Sequence, residues 1–214
     1  VAHDFNNLLV VIRGYTDLLL LAASEERALS QLRQISQAAD RASALTAQLL
    51  AFARRAPIVN ERVDVNALLH NVEPMLRRLI DEDIVLAIHA DTPVEPVRAD
   101  PRQLEQVLVN LVINARDAMP LGGEIRITTD MRDVAGSAAQ DLDIEPGRYV
   151  VTAVSDSGSG MTEETQARIF EPFFTTKEAG KGTGLGLATV YGIVEQSGGK
   201  IVVDTQLGIG STFF

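Results

Sequence analysis

The chain has 214 residues, 46% of them hydrophobic, enough for one large domain or two small ones, each with a buried core. Its 19 basic and 29 acidic residues give a net charge of −10, and no Lys/Arg run exceeds a pair such as Arg54-Arg55 or Arg77-Arg78, so nucleic acid and anionic lipid find no electrostatic footprint. Cysteine is absent, which excludes disulfides and thiolate metal sites, and no stretch approaches the roughly 18 apolar residues of a membrane span.

Residues 1–55 carry helical composition, with Gly14 the only glycine and no proline before Pro57. Phe5, Leu8, Ile12 and Leu19 fall on one face of a first helix, and His3 points nearly opposite. The break is expected at Ala22–Glu26, where Ser24 can cap a second helix with a stripe through Leu32, Ile35, Ala39, Ala42, Leu45, Leu49 and Phe52. Two such helices cannot bury their stripes alone, so a dimeric four-helix bundle is the expected remedy. The chain opens inside a helical pattern and ends inside a strand pattern, which reads as a piece of a longer protein, with any targeting or membrane segment expected outside it.

Pro57 marks a linker, and the composition then turns mixed α/β. A helix capped by Asp64 or Asn66 runs to about Ile80, followed by a strand over Ile84–His89 and a shorter one near Val97. Asp100-Pro101 opens the next helix, with Leu104, Val107, Leu108, Leu111 and Val112 turned inward. Gly122-Gly123 leads into a strand over Glu124–Asp130, residues 133–147 read as a polar loop, and Tyr149–Val154 is the next strand. Thr162 caps a short helix, a loop spans about Glu171–Lys181, and a glycine-rich turn opens a further helix. A final hairpin pairs Lys200–Thr205 with Ser211–Phe214. This order predicts a layer of helices on one face of a mixed sheet.

Several stretches on this frame can carry chemistry. Asn110 and Asn114 lie four apart on one helix face, where their oxygens can reach a magnesium ion; in isolation such a pair reads first as surface amides. Asp156, in the run Asp156-Ser157-Gly158-Ser159-Gly160, offers at a strand end an acceptor for an exocyclic amine, which favours adenine over guanine; the bland reading is an ordinary strand-to-helix turn. Phe170-Glu171-Pro172-Phe173-Phe174-Thr175-Thr176-Lys177 combines core anchors, Phe170 and Phe173, with a loop whose Lys177 and Lys181 can approach phosphate oxygens. Gly182-Thr183-Gly184-Leu185-Gly186 leaves backbone N–H groups free to close on an anion before a helix start. His70 and His89 read as incidental, whereas His3 is followed by Asp4, which can fix its tautomer and leave Nε2 as a nucleophile.

These stretches, in this order, resemble the motif set of sensor histidine kinases. His3-Asp4-x-x-Asn7 is similar to the phosphoacceptor box, Asn110–Ala115 to the asparagine box, Asp156–Gly160 and Gly182–Gly186 to the two glycine boxes, and Phe170–Phe174 to the phenylalanine box. The wording is similar to that of a bacterial subgroup rich in hybrid kinases. The resemblance implies an α+β chain: a dimerisation and phosphotransfer hairpin over residues 1–56, then an ATP-binding two-layer sandwich of the Bergerat type over 60–214 with a mixed sheet. It implies autophosphorylation of His3 from ATP, activation by Asp4, a water-positioning role for Asn7, and relay to an aspartate of a response regulator or receiver domain. It further implies Mg²⁺ on Asn114 and nucleotide contacts from Asn110, Asn114, Asp156, Gly158, Gly160, Lys177, Lys181, Gly182, Thr183, Gly184, Leu185 and Gly186. The same likeness implies a homodimer, and the ATP chemistry it implies points to a cytoplasmic location for this region. Many such kinases have proline five residues after the histidine; here Leu8 stands there, which implies a straighter first helix.

Two other readings share parts of this pattern. ATP-hydrolysing machines of the gyrase, Hsp90 or MutL kind place a water-activating glutamate four residues before the magnesium asparagine, where this chain has Asn110. A phosphotransfer scaffold with a decayed nucleotide site would have lost one or more of the boxes, all of which are intact.

Overall fold

A computed structural model describes residues 59–90, 93–177 and 182–214, together with Ile12, Thr16, Leu19, Ala28, Leu32 and Ile35. The chain divides into two compact units, Val1–Ala56 with Lys177–Thr183, and Pro57–Thr176 with Gly184–Phe214. In the first unit the described positions up to Ile35 are all helical. Thr16 is buried and its hydroxyl donates to the Ile12 carbonyl at 2.7 Å, whereas Ile12, Leu19 and Ile35 are 46%, 55% and 47% exposed. The expected break at Ala22–Glu26, the Ser24 cap and the rest of the second stripe lie outside the described residues. Among the described residues no helix is long and apolar enough to cross a membrane.

The second unit runs β1 (Glu61–Val63), α1 (Val65–Leu79), β2 (Ile84–His89), β3 (Val97–Ala99), α2 (Pro101–Asp117), β4 (Gly123–Val134), α3 (Ser137–Leu142), β5 (Gly147–Asp156), α4 (Glu163–Gln166), α5 (Gly186–Gln196), β6 (Val203–Gln206) and β7 (Gly210–Phe213). The main sheet has the order β2-β4-β5-β7-β6, parallel between β2 and β4 and antiparallel elsewhere. A parallel neighbour demands a crossover, and the connection through α2 supplies it. Strand alternation then sorts the faces. Ile125, Ile127 and Thr129 of β4 are buried against the helices, while Arg126 and Asp130 are exposed, as is Val85 on β2. Leu69 and Leu76 of α1, Val112 of α2, Val190 of α5 and Ile125, Ile127 and Val154 of the sheet are fully buried, so three helices and one sheet face share a single core.

Local chemistry explains where the helices begin. Asp64 caps α1 by accepting from the N–H groups of Asn66 and Ala67 at 3.0 and 3.1 Å. Asp100 caps α2 through the Arg102 N–H at 2.9 Å, with Pro101 in the first turn where its missing donor costs nothing. Arg116 near the end of α2 donates to the Leu79 carbonyl at 2.9 Å and so satisfies an orphan acceptor at the end of α1. Asn66 accepts from the Thr129 hydroxyl at 2.7 Å, which pins the start of α1 to β4.

Three expectations need correction. β4 and β5 are longer than the local sequence suggests, because Asp130–Val134 and Gly147–Val151 pair with each other even though one side is charged. The stretch expected as a polar loop over 133–147 contains α3, which buries Ala139 and closes through a left-handed Asp143 with the Ile144 N–H on the Ala139 carbonyl. β1 was not expected; it exists because Glu61–Val63 pairs antiparallel with Val97–Ala99. Replacing the fully buried Ile127 by Ala is expected to lower unfolding free energy by about 3 kcal/mol, read from the midpoint of urea denaturation at unchanged slope.

Candidate functional site

The site is built where the second half of α2 meets the start of α5. Asn110 and Asn114 stand one turn apart on α2, and the Asn110 amide nitrogen donates to the Gly186 carbonyl at 3.3 Å. Gly186 is the first residue of α5, and no side chain caps that helix start. A Cβ at Gly186 would lie 3.6 Å from Nδ2 of Asn114, so the second amide lies against the opening turn of α5. Nδ2 of Asn114 is buried and has no hydrogen-bond partner. An unpaired buried amide nitrogen costs about 1–3 kcal/mol, and an amide turned end for end presents its oxygen at the same place. The residue therefore fits a group that takes either an amide donor, as a phosphate does, or a hard oxygen ligand, as Mg²⁺ does.

Asp156 ends β5, opposite Ile125 on one side and Ser211 on the other, and so shares the helix-covered face of the sheet with Ile125. Its carboxylate accepts from the Gly158 N–H at 2.9 Å. Burial pushes the Asp156 carboxyl above its ordinary range, while backbone hydrogen bonds from Gly158 and Ser211 pull the other way without cancelling it. The turn that follows is tied on both sides. The Ser159 N–H donates to the Ala118 carbonyl at 3.1 Å, and the Gly208 N–H donates to the Ser159 carbonyl at 2.7 Å. At Gly158 an added Cβ would stand 2.7 Å from the Ala118 carbonyl oxygen and 2.8 Å from Oδ1 of Asp156, so only glycine lets this turn pass between them. Gly160 turns the chain with φ 60° under the Gln206 carbonyl of the last hairpin.

The residues singled out in the sequence thus divide into groups. Asn110, Asn114 and Gly186 are brought together directly, with Gly184 and Leu185 leading into the same helix start. Asp156, Gly158 and Gly160 form a second cluster at the end of β5, and the Gly158 turn packs on Ala118 just past the end of α2. Lys177, Gly182 and Thr183 fall in the other compact unit. His3, Asp4, Asn7 and Lys181 lie outside the described residues. Of the two expected aromatic anchors, Phe170 packs partly against the core and meets Tyr191 with ring centroids 5.2 Å apart. Phe173 does not. It is 57% exposed, because a left-handed backbone at φ 69° directs its N–H to the Gly184 carbonyl and leaves the ring outside. Sequence reasoning missed Ser211, whose backbone N–H supports Asp156; only the β5–β7 register, far apart in the chain, brings it there.

Between the ordinary carboxyl value of 3.8 and the raised one, the folded chain holds a proton on Asp156 that the unfolded chain has released, so stability is lost as pH rises through that window. Asp156→Asn is therefore expected to be more stable than the parent at neutral pH, with the gain vanishing below the ordinary value; denaturant titrations from neutral to acid pH check it.

The chain is similar to known proteins over its whole length. The family model described as histidine kinase-, DNA gyrase B- and HSP90-like ATPase matches residues 99–214, and the His kinase A (phospho-acceptor) domain matches residues 1–57. The chain is 46% identical over 217 aligned residues to sensor kinase CckA of Brucella abortus, covering all of this chain and 23% of that protein. It is 35% identical to sensor histidine kinase ZraS of Escherichia coli, covering all of this chain and 43% of that one. The chain thus spans less than half the length of these curated relatives. Among solved structures, full-length ShkA in complex with AMPPNP superposes with a TM-score of 0.72 at 26% identity, over 99% of this chain and 43% of that one. Histidine kinase ThkA in complex with the response regulator TrrA gives a TM-score of 0.63 at 25% identity, over 100% of this chain and 58% of the other.

Proposed function

The chain belongs to the sensor histidine kinases, and from that premise we propose that it transfers the γ-phosphoryl group of ATP to His3 and then to an aspartate of a response regulator or receiver domain. The observation that carries the nucleotide half of this reading is the buried, unpaired amide of Asn114 beside the uncapped start of α5. A helix start offers unpaired N–H groups and the positive end of its dipole, and an amide without a partner next to it is suited to phosphate oxygens or their counterion. In this reading residues 60–214 bind the nucleotide and residues 1–56 form the dimerisation and phosphotransfer hairpin.

Each residue then has a distinct task. The Asp156 carboxylate accepts a hydrogen bond from the exocyclic amine of adenine. Guanine, with a carbonyl at that place, would set two acceptors against each other. Gly158 and Gly160 shape the turn beside that carboxylate. Asn110 holds the Gly186 carbonyl and stands near the phosphates, and Gly182, Thr183, Gly184, Leu185 and Gly186 wrap them, with Lys177 and Lys181 offsetting charge. Asn114 would hold Mg²⁺, which would supply charge neutralisation at the phosphates.

Asp4 accepts the Nδ1 proton of His3 and frees the Nε2 lone pair. That pair attacks the γ-phosphorus in line, the bond to the bridging oxygen breaks, and ADP carries the electrons away. The phosphoryl group next moves to a receiver carboxylate, and Asn7 positions water for its later hydrolysis there. Water attack within the nucleotide site itself is disfavoured, because the position where related ATPases carry glutamate is Asn110, an amide engaged with a backbone carbonyl. The half-exposed Ile12, Leu19 and Ile35 support pairing of two copies through the helical region. The likeness to a kinase solved with its response regulator supports the receiver as partner.

Incubation with γ-labelled ATP and Mg²⁺ tests this reading. Acid-labile, base-stable label is expected on the parent and absent from His3→Ala; label that persists in that variant would remove His3 from the reaction. Asn114→Ala is expected to lower the initial labelling rate by at least about 100-fold, since it removes an interaction aimed at the reacting phosphates. Calorimetric titration with ADP separates loss of binding from loss of transfer.

A further inference from the structure

Phe173 has a positive φ of 69°, and among the described residues only Asp143, at the end of α3, shares that trait without being glycine. The left-handed region crowds Cβ against the backbone, and a bulky aromatic has no short polar arm to compensate as aspartate does. Burial does not compensate either, because the ring is 57% exposed. What this conformation provides lies in the main chain. The Phe173 N–H donates to the Gly184 carbonyl at 2.9 Å. Gly184, itself at φ 65°, lies so near that an added Cβ would stand 2.6 Å from Cα of Phe173. Two left-handed residues therefore clasp backbone to backbone immediately before α5. Downstream, the Leu185 carbonyl accepts from both the N–H and the hydroxyl of Thr189, at 2.9 and 2.8 Å, and the Gly186 carbonyl accepts from Asn110. The opening turn of α5 is held from one side by α2 and from the other by Phe173.

We propose that Phe173 is a positioning residue for the triphosphate: its left-handed backbone, rather than its aromatic ring, sets the Gly184–Leu185–Gly186 turn. The inference rests on the reading of that turn as phosphate-facing. Strained conformations of this kind persist where the surroundings over-determine them, and the hydrogen bond to Gly184 is what the strain sustains here.

The test uses the whole chain, with ATP and adenosine titrated calorimetrically in Mg²⁺ buffer against Phe173→Ala, Phe173→Gly, Phe173→Asn and Phe173→Val. Alanine keeps the backbone cost and deletes the ring, so its ATP affinity is expected within about twofold of the parent. Glycine and asparagine tolerate positive φ and are expected to equal or exceed the parent. β-Branched valine, for which this region is closed, is expected to bind ATP about tenfold more weakly, with adenosine affinity unchanged in every variant. Equal losses in Ala, Gly and Asn would show that the ring makes the contact and would overturn the proposal, as would a Val variant that binds like the parent. Should Val fail to fold, the Ala, Gly and Asn comparison still decides. A parent that binds neither ATP nor adenosine would overturn the nucleotide reading itself, whereas a parent that binds ATP with the wrong order of variants overturns only the role of Phe173.

Discussion

The candidate site depends on the packing of α5 against α2, two helices distant in the chain whose meeting is tied by the amide of Asn110 on the carbonyl of Gly186. That hydrogen bond ties α5 to α2, and α2 is the crossover that joins the parallel, directly paired strands β2 and β4 of the main sheet. Every other feature of the site is referred to that pair of helices. Asn114 looks at the same helix start, and the Gly158 turn packs on Ala118 at the far end of α2. A weak neutral hydrogen bond would not hold this alone; Val112 and Val190, both fully buried, supply the apolar grip behind it.

The site also gathers features that cost the unit stability. Asn114 keeps a buried amide without a partner, Asp156 keeps a carboxylate in surroundings that disfavour its charge, and Phe173 keeps a backbone conformation suited to glycine. The first two would be removed by selection for stability alone, and the third persists with the hydrogen bond it gives to Gly184. Their convergence on the ends of α2, β5 and the approach to α5 separates this region from the well-satisfied caps at Asp64 and Asp100.

Much of this was legible in the sequence for identifiable reasons. Helix starts were visible because Asp64, Asp100-Pro101 and Thr162 cap through local atoms, and β2 was visible because its apolar run is bounded by charge and turn residues. What remained hidden depends on partners remote in the chain. The outer halves of β4 and β5 are strands only because each pairs with the other, and β1 exists only against β3. The support of Asp156 by Ser211 required the sheet register, and the outward turn of Phe173 required Gly184. Composition at Phe170–Phe174 argues for burial, and a backbone hydrogen bond overrode it at Phe173.

The Asn110–Gly186 contact spans 76 positions. During synthesis, at roughly 5–20 residues per second, α2 leaves the ribosome on the order of several seconds before α5 exists to meet it. The strands β2, β4 and β5 and the crossover helix α2 all precede α5 in the chain, so their partners in the sheet are synthesised within that interval. Throughout that time the two asparagines of α2 face water. The Asn110–Gly186 contact therefore cannot form until late in synthesis, and a nascent chain that has not yet released α5 also lacks β6 and β7, two of the five strands of the main sheet.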